Sequence, residues 1–295
     1  MTGKLLDAWV VPRALKLPEA ESSLVSPDFP VRCLSLHPDW LNGLADVLVK
    51  SHKTLKKRRV SDLAKVIGTV GSRFLTEGDP LRTKALTLLP GASGISAPMA
   101  QTILDGMAGD WTEQGVRGLL NSEFDTPEVL DGFLKRNTSQ TMAVGADLCV
   151  QVISGSVPGV GVTALIRSLL TKAPTLLKPG RGDLLLPVLF AEELGRIDPG
   201  LGEAIAVLYW PGGSLALEKV ALTRASVVTV YGGDKAVASI RALTPVTKRF
   251  VAYHHRISVG IVGARALTSQ LAEQTARDIA QAVTDSGFTI QKQQV

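Results

Sequence analysis

Thiols are scarce in this chain. Cys33 and Cys149 are the two cysteines of 295 residues, far apart and without C-x-x-C spacing. That excludes a disulfide framework or a zinc site of the usual kind and fits a reducing cytoplasm. Charge of one sign is also modest: +5 is compatible with an anionic small molecule but too diffuse to imply nucleic acid. The one basic run, "HKTLKKRR" (52–59), has no interleaved aromatics and reads as a solvated helix end. The longest charge-free stretch, Leu148 to Ile166, holds Gln151, Ser154, Ser156, Pro158 and three glycines. A strand, a tight turn and a helix explain it better than a bilayer span, so no membrane span is expected. "MTGKLLDAWVVPRALK" is too short and interrupted for a signal peptide. Internal repeats, low-complexity linkers and an acidic tail are absent as well.

What is present is an ordinary globular composition, 45% hydrophobic and 20% charged, with room for a sizeable core. Residues 1–140 read as mixed and mainly helical. Helical spacing marks 38–59, with a basic end suited to a helix C-terminus, and one or two helices over 100–124. From about Thr141 the texture changes to apolar runs alternating with helices. Strands are expected at 148–154, 174–179, 204–210 and 226–232, then in "RFVAYHH" and "ISVGIVG". Helices are expected at 160–172, 183–197 with Asp183 as N-cap, 214–225 opened by Ser214, 234–243, and 267–287. This alternation predicts an α/β fold: a doubly wound, mainly parallel sheet over 141–285 behind the mainly helical region, then a tail at 286–295.

In such sheets ligands sit beyond the carboxyl ends of the strands. Three glycine turns fall there: "GSVPGVG" (155–161), "KPGRGD" (178–183) and "GGD" (232–234). Each lets backbone approach a ligand, and each feeds a helix N-terminus that favours anions. None matches G-x-G-x-x-G, and Lys178 is followed by Pro179 rather than Ser or Thr, so an ATP-binding P-loop is not indicated.

The segments "SGSVPGVGVTALIRSLLTKAPTLLKPGRGD", "VLYWPGG", "VVTVYGGD" and "RFVAYHHRISVGIVG" together resemble the LuxC-type acyl-CoA reductases of the aldehyde dehydrogenase superfamily. The resemblance implies an oxidoreductase that uses NADPH to reduce a fatty acyl-CoA to an aldehyde, as in bacterial bioluminescence. It implies a cofactor site made by Gly155, Ser156, Val157, Pro158, Lys178, Pro179, Arg181, Gly232 and Gly233. Lys178 would contact the adenosine ribose, and Gly232–Gly233 would run under the pyrophosphate, with Asp234 capping the next helix. Arg181 stands where NAD-preferring relatives carry glutamate, and a guanidinium attracts a 2′-phosphate.

Two positions depart from the family pattern. Ser156 replaces the oxyanion-binding asparagine, and the cysteine nucleophile of a Gln-Gly-Cys segment is missing after the last helix, where "TDSGFTIQKQQV" follows. Catalytic residues are therefore expected to be absent, and the chain to be truncated. Cys149 lies in an apolar run where burial raises a thiol pKa, and Cys33 has no cofactor motif beside it. His254 and His255 are neighbours on a strand and point to opposite faces, so no metal site is expected. The partners implied are a small-molecule cofactor and acyl-CoA, with an oligomer allowed. Two other readings stay open: a non-catalytic dinucleotide-binding or regulatory protein, and a fragment of a disrupted gene.

Overall fold

The computed structural model describes residues 5–26, 29–154, 157–254, 261–268 and 270–285. The chain opens with four strands, β1 (Leu6–Asp7), β2 (Trp9–Val10), β3 (Ala20–Ser26) and β4 (Phe29–Leu34). A small sheet of order β1-β4-β3 results, while β2 departs to pair antiparallel with a strand of the main sheet. The expected mainly helical region thus begins as sheet. Strands of two residues are too short for any periodicity to announce them.

Five helices follow: α1 (Pro38–Leu55), α2 (Val60–Leu75), α3 (Pro80–Ser93), α4 (Ala97–Trp111) and α5 (Glu113–Glu123). Three of them start where a side chain accepts an otherwise unpaired amide: Asp79 from Leu81, Ser96 from Met99, and Thr112 from Gly115. Of the basic end expected for α1, His52 and Lys53 lie in its last turn and the rest falls in the turn into α2, where Arg58 is held 2.8 Å from Asp198. Glycine sets the crossing of α2 with the α4–α5 corner. A Cβ at Gly71 would lie 2.1 Å from the Trp111 carbonyl oxygen, and one at Gly68 would lie 2.3 Å from the Glu113 amide nitrogen. The hairpin β5 (Leu134–Arg136) and β6 (Ser139–Thr141) turns through Asn137 at φ 45.

The main sheet is built from β7 (Cys149–Ile153), α6 (Val160–Leu170), β8 (Thr175–Lys178), α7 (Leu185–Ile197), α8 (Pro199–Gly202), β9 (Ile205–Leu208), α9 (Leu215–Arg224), β10 (Val227–Tyr231), α10 (Asp234–Leu243) and β11 (Arg249–Tyr253). Its order is β11-β10-β7-β8-β9-β2, with the first five strands parallel. The winding starts at β7, steps to β8 and β9, then returns to β10 and β11, so the doubly wound expectation holds. Its topological switch point lies between β7 and β10.

Alternation along the strands divides the core. Ile153, Leu177, Ile205 and Val207 pack with α6, α7 and the helices α2–α4. Val152, Leu176, Leu208, Val228 and Val230 pack with α1, α9 and α10. The first cluster contains Phe74, Trp111 and Phe190 in mutual ring contact, with centroids 5.6 to 6.3 Å apart. Trp111 is buried, and its Nε1 donates to Thr163 Oγ1 at 3.0 Å. Truncating it to alanine would cost about 3–5 kcal/mol.

Residues 1–254 form one compact unit and 255–295 another. In the second, the described residues include α11 (Ala272–Asp285), which starts later than the 267 expected; residues 286–287 of that expected helix lie outside the described residues. Of the strand expected in "ISVGIVG", Ile257–Gly260 lie outside the described residues, and Ile261–Gly263 are not in a strand. No described helix is long and apolar enough to cross a membrane.

Candidate functional site

Because the five strands run parallel, their carboxyl ends share one rim. On it lie the turns after β7, β8 and β10. Register fixes their heights: Lys178 is level with Val152 on β7, and Val152 with Val230 on β10. Two strand spacings separate Lys178 from Val230, about 10 Å. Gly232 follows two residues later.

Lys178 shares the sheet face of Leu176, and its neighbours there are large and apolar. It is 7% exposed, and its Nζ stands 5.6 Å from the centroid of the Trp210 ring. Burial depresses its pKa, and the Glu218 carboxylate partly restores it. Glu218, buried on α9, accepts the Gly213 amide at 3.0 Å. Among the described residues no hydrogen bond or ion pair reaches the Lys178 ammonium. Buried lysines are ordinarily paired, so this amine is a donor in want of an acceptor. The adjacent Trp210 Nε1 is buried and has no hydrogen-bond partner among the described residues.

The turn after β10 is packed without slack. A Cβ at Gly232 would fall 1.8 Å from Ser154 Oγ, so glycine lets the ends of β7 and β10 meet with the Ser154 hydroxyl left in place. Gly233, not the expected Asp234, is the N-cap of α10, and no side chain caps that terminus. Asp234 sits exposed in the first turn, with its carboxylate 3.6 Å from His254 Nδ1. Val237 and Ile240 put α10 on the Lys178 face. The free amides of α10 and the unpaired ammonium therefore share one side of one rim, a donor set that fits a phosphate-bearing ligand.

The turn after β7 behaves differently. Asp183, expected to cap its own helix, instead caps α6: its oxygens accept the Gly159 and Gly161 amides, each at 2.6 Å. Helix α7 starts two residues later with no side-chain cap. The N-terminus of α6 is thus filled from within, and of the three turns the first does not offer a free helix end. Val157 is half-buried and Pro158 buried, whereas Gly155 and Ser156 lie outside the described residues.

Pro179 is buried, and Arg181 is exposed with its Nε donating to Tyr209 Oη at 3.0 Å. Tyr209 packs with the α6–α7 core and Trp210 with the α1–α9 core, so the two cations take opposite sides of the β9 end. The guanidinium nitrogens beyond Nε stay available to an anion. Neither thiol reaches the rim. Cys149 starts β7, at the far end of the sheet, and burial pushes its pKa up; partial burial raises that of Cys33 too. Among the described residues no group of His, Cys, Asp and Glu could hold a metal ion.

Sequence reasoning missed Trp210, Glu218 and the true partner of Asp183. The first had a signal, because Trp210 continues the alternation of "IAVLYW" onto the Lys178 face. A separate groove of about 870 Å³ lies between the opening strands, α3 and α7. Its charged groups are already satisfied: Asp7 pairs with Arg32, Lys84 with Glu192, and Arg13 donates to the Gly195 carbonyl.

Known structures share this architecture. Methylmalonate-semialdehyde dehydrogenase from Oceanimonas doudoroffii superposes with a TM-score of 0.67 at 13% identity, over 86% of this chain and 51% of that one. NADP-dependent glyceraldehyde-3-phosphate dehydrogenase from Bacillus halodurans C-125, complexed with NADP, gives 0.63 at 13% identity, over 84% and 52%. The fold is thus that of the aldehyde dehydrogenases, an α/β fold with a mainly parallel sheet. The family profile described as acyl-CoA reductase (LuxC) matches residues 55–282, and the chain belongs to that family. The long-chain acyl-protein thioester reductase of Photorhabdus luminescens is 24% identical over 212 residues, covering 69% of this chain and 43% of that protein. The chain spans less than half the length of the curated relatives it matches.

Proposed function

We propose that this chain binds a nicotinamide dinucleotide, NADPH by preference, on the C-terminal rim of its sheet, as the cofactor-holding part of an acyl thioester reductase. The observation that carries this reading is the buried Lys178 side chain, whose ammonium has no hydrogen bond or ion pair among the described residues, on the same face as the uncapped N-terminus of α10. The ammonium would donate to the adenosine ribose. The amides after Gly233 would hold the pyrophosphate, and the exposed nitrogens of Arg181 would meet the 2′-phosphate. Bound there, the dinucleotide would supply hydride to a thioester such as a long-chain acyl-CoA. The residues of this chain would grip and orient it, with the Lys178 ammonium over the Trp210 ring.

A thiolate nucleophile is the part this chain does not bring to the rim, since Cys149 is buried at the far end of β7 and Cys33 sits in the first small sheet. This favours binding without turnover, and it supports a second reading, a dinucleotide-binding protein without catalysis. Titrating NADPH into the purified chain, followed by an aldehyde assay with a long-chain acyl-CoA, tests both parts. Saturable binding without aldehyde is expected. Aldehyde formation by the chain alone would refute the division of labour, and absence of binding would refute the cofactor reading.

A further inference from the structure

We infer that Asp183 is a positioning residue for the cofactor: its carboxyl group bolts the 179–183 loop, which follows β8, to the N-terminus of α6 and so fixes where Arg181 stands. The inference rests on the dinucleotide reading above. Its own footing is geometric. Asp183 is 1% exposed, and its two oxygens each take one α6 amide at 2.6 Å, the short range of charge-assisted bonds.

The receiving turn is shaped for that carboxylate. Gly159 adopts φ +98, and a Cβ there would press to 3.0 Å on Met107 and Trp111. A Cβ on Gly161 would stand 3.0 Å from Asp183 Oδ2 and 2.7 Å from Pro187 Cγ. From the other side, Ser93 on α3 donates to the Gly182 carbonyl at 2.6 Å. The loop is thereby held at Asp183, at Gly182 and, through Tyr209, at Arg181.

Among the described residues no charged side chain perturbs the carboxyl. Helix α6 carries only Arg167, in its last turn. On α3, Arg82 and Lys84 lie in the first half, Arg82 on Asp105. On α7, Glu192, Glu193 and Arg196 lie in the second half, with Glu193 held by Arg73 and Arg196. On β3, Glu21 accepts from Ser35. Burial outweighs the two amide bonds and lifts the carboxyl to about 7, so charged and neutral forms coexist near neutrality. Because the buried site favours the protonated carboxyl, ionisation above about 7 works against the closed loop.

The test compares wild type with Asp183→Asn by NADPH titration from pH 6 to 8. The 2′-phosphate of the ligand titrates in this range too, but it does so for both proteins. Relative to the variant, wild-type affinity is expected to fall ~3- to 10-fold toward pH 8, the scale on which ionising a buried carboxyl with a raised pKa disfavours the closed loop. Parallel profiles would overturn the inference. Amide exchange at Gly159 and Gly161, corrected for intrinsic rates, gives a cofactor-free readout: protection should fall as pH rises through about 7 in wild type and stay flat in the variant. If protection behaves so but no NADPH binds at any pH, the dinucleotide reading fails and Asp183 is structural only. If protection does not change with pH, the bolt itself is wrong. Should Asp183→Asn not fold, Ser93→Ala loosens the same loop, and a loss of affinity alike at pH 6 and 8 is expected. No loss would count against the loop's role, and the wild-type exchange profile still decides on the carboxylate.

Discussion

Replacing Gly232 by alanine probes the switch point with a single methyl group. The added Cβ would stand 1.8 Å from Ser154 Oγ and 3.1 Å from Ser154 Cβ, so the hydroxyl is the main obstacle. If Ser154 rotates away, it gives up its 3.2 Å bond to the Tyr231 carbonyl, worth about 1 kcal/mol. If it does not, the two strand ends must part, at the 1–3 kcal/mol typical of overpacking. A loss of about 2 kcal/mol follows for Gly232→Ala, read as a lowered urea midpoint with an unchanged slope. Ser154→Ala alone should cost about 1 kcal/mol, the lost hydrogen bond. The double variant removes the obstacle and should lie within about 1 kcal/mol of Ser154→Ala, a coupling energy of the size expected for touching residues. Simple additivity of the two substitutions would refute the claim that glycine is required there by contact with Ser154.

Three further outcomes can be checked together. The folded-state pKa of Asp183 is raised from 3.8 to about 7, so the native state binds a proton that the unfolded chain has released. Wild-type stability relative to Asp183→Asn should therefore be highest near pH 4 and fall as pH rises through 7, by up to roughly 4 kcal/mol; a difference that rises with pH would contradict the assignment. Gly71→Ala thrusts a methyl to 2.1 Å from the Trp111 carbonyl oxygen, and loss of soluble protein or at least ~3 kcal/mol in chemical denaturation is expected. Arg181→Glu should lower the NADPH-to-NADH affinity ratio at least ~10-fold, since it exchanges attraction for repulsion at the 2′-phosphate; an unchanged ratio in paired titrations would assign Arg181 to Tyr209 alone.

Much of the sheet was legible because parallel strands buried on both faces are written as unbroken apolar runs. "LCVQVIS", "PTLLKP" and "SVVTVYG" each enclose the strand found, with helices between them. What escaped reading depends on contacts distant in sequence. β1 and β2 are too short to show a period, and they exist because β4 and β9 offer edges. Asp183 precedes its own helix by an interval that suits an N-cap, yet two glycines more than twenty residues earlier supply its partners. At the site, glycine and lysine spacing located the rim turns, but which turn keeps a free helix end depends on that contact. The opposite directions taken by Lys178 and Arg181 depend on the alternation of Tyr209 and Trp210.

Lys178→Met tests the central claim most directly, because it keeps the aliphatic stem against Trp210 and deletes only the ammonium. If the ammonium exists to meet a ligand, NADPH affinity should fall at least ~10-fold, the scale of a lost hydrogen bond from a charged donor. Thermal stability should hold or rise, because a buried charge whose desolvation outweighs its attraction to Glu218 is gone. Wild-type affinity in the variant, or a lower melting temperature with binding unaffected, would contradict the account.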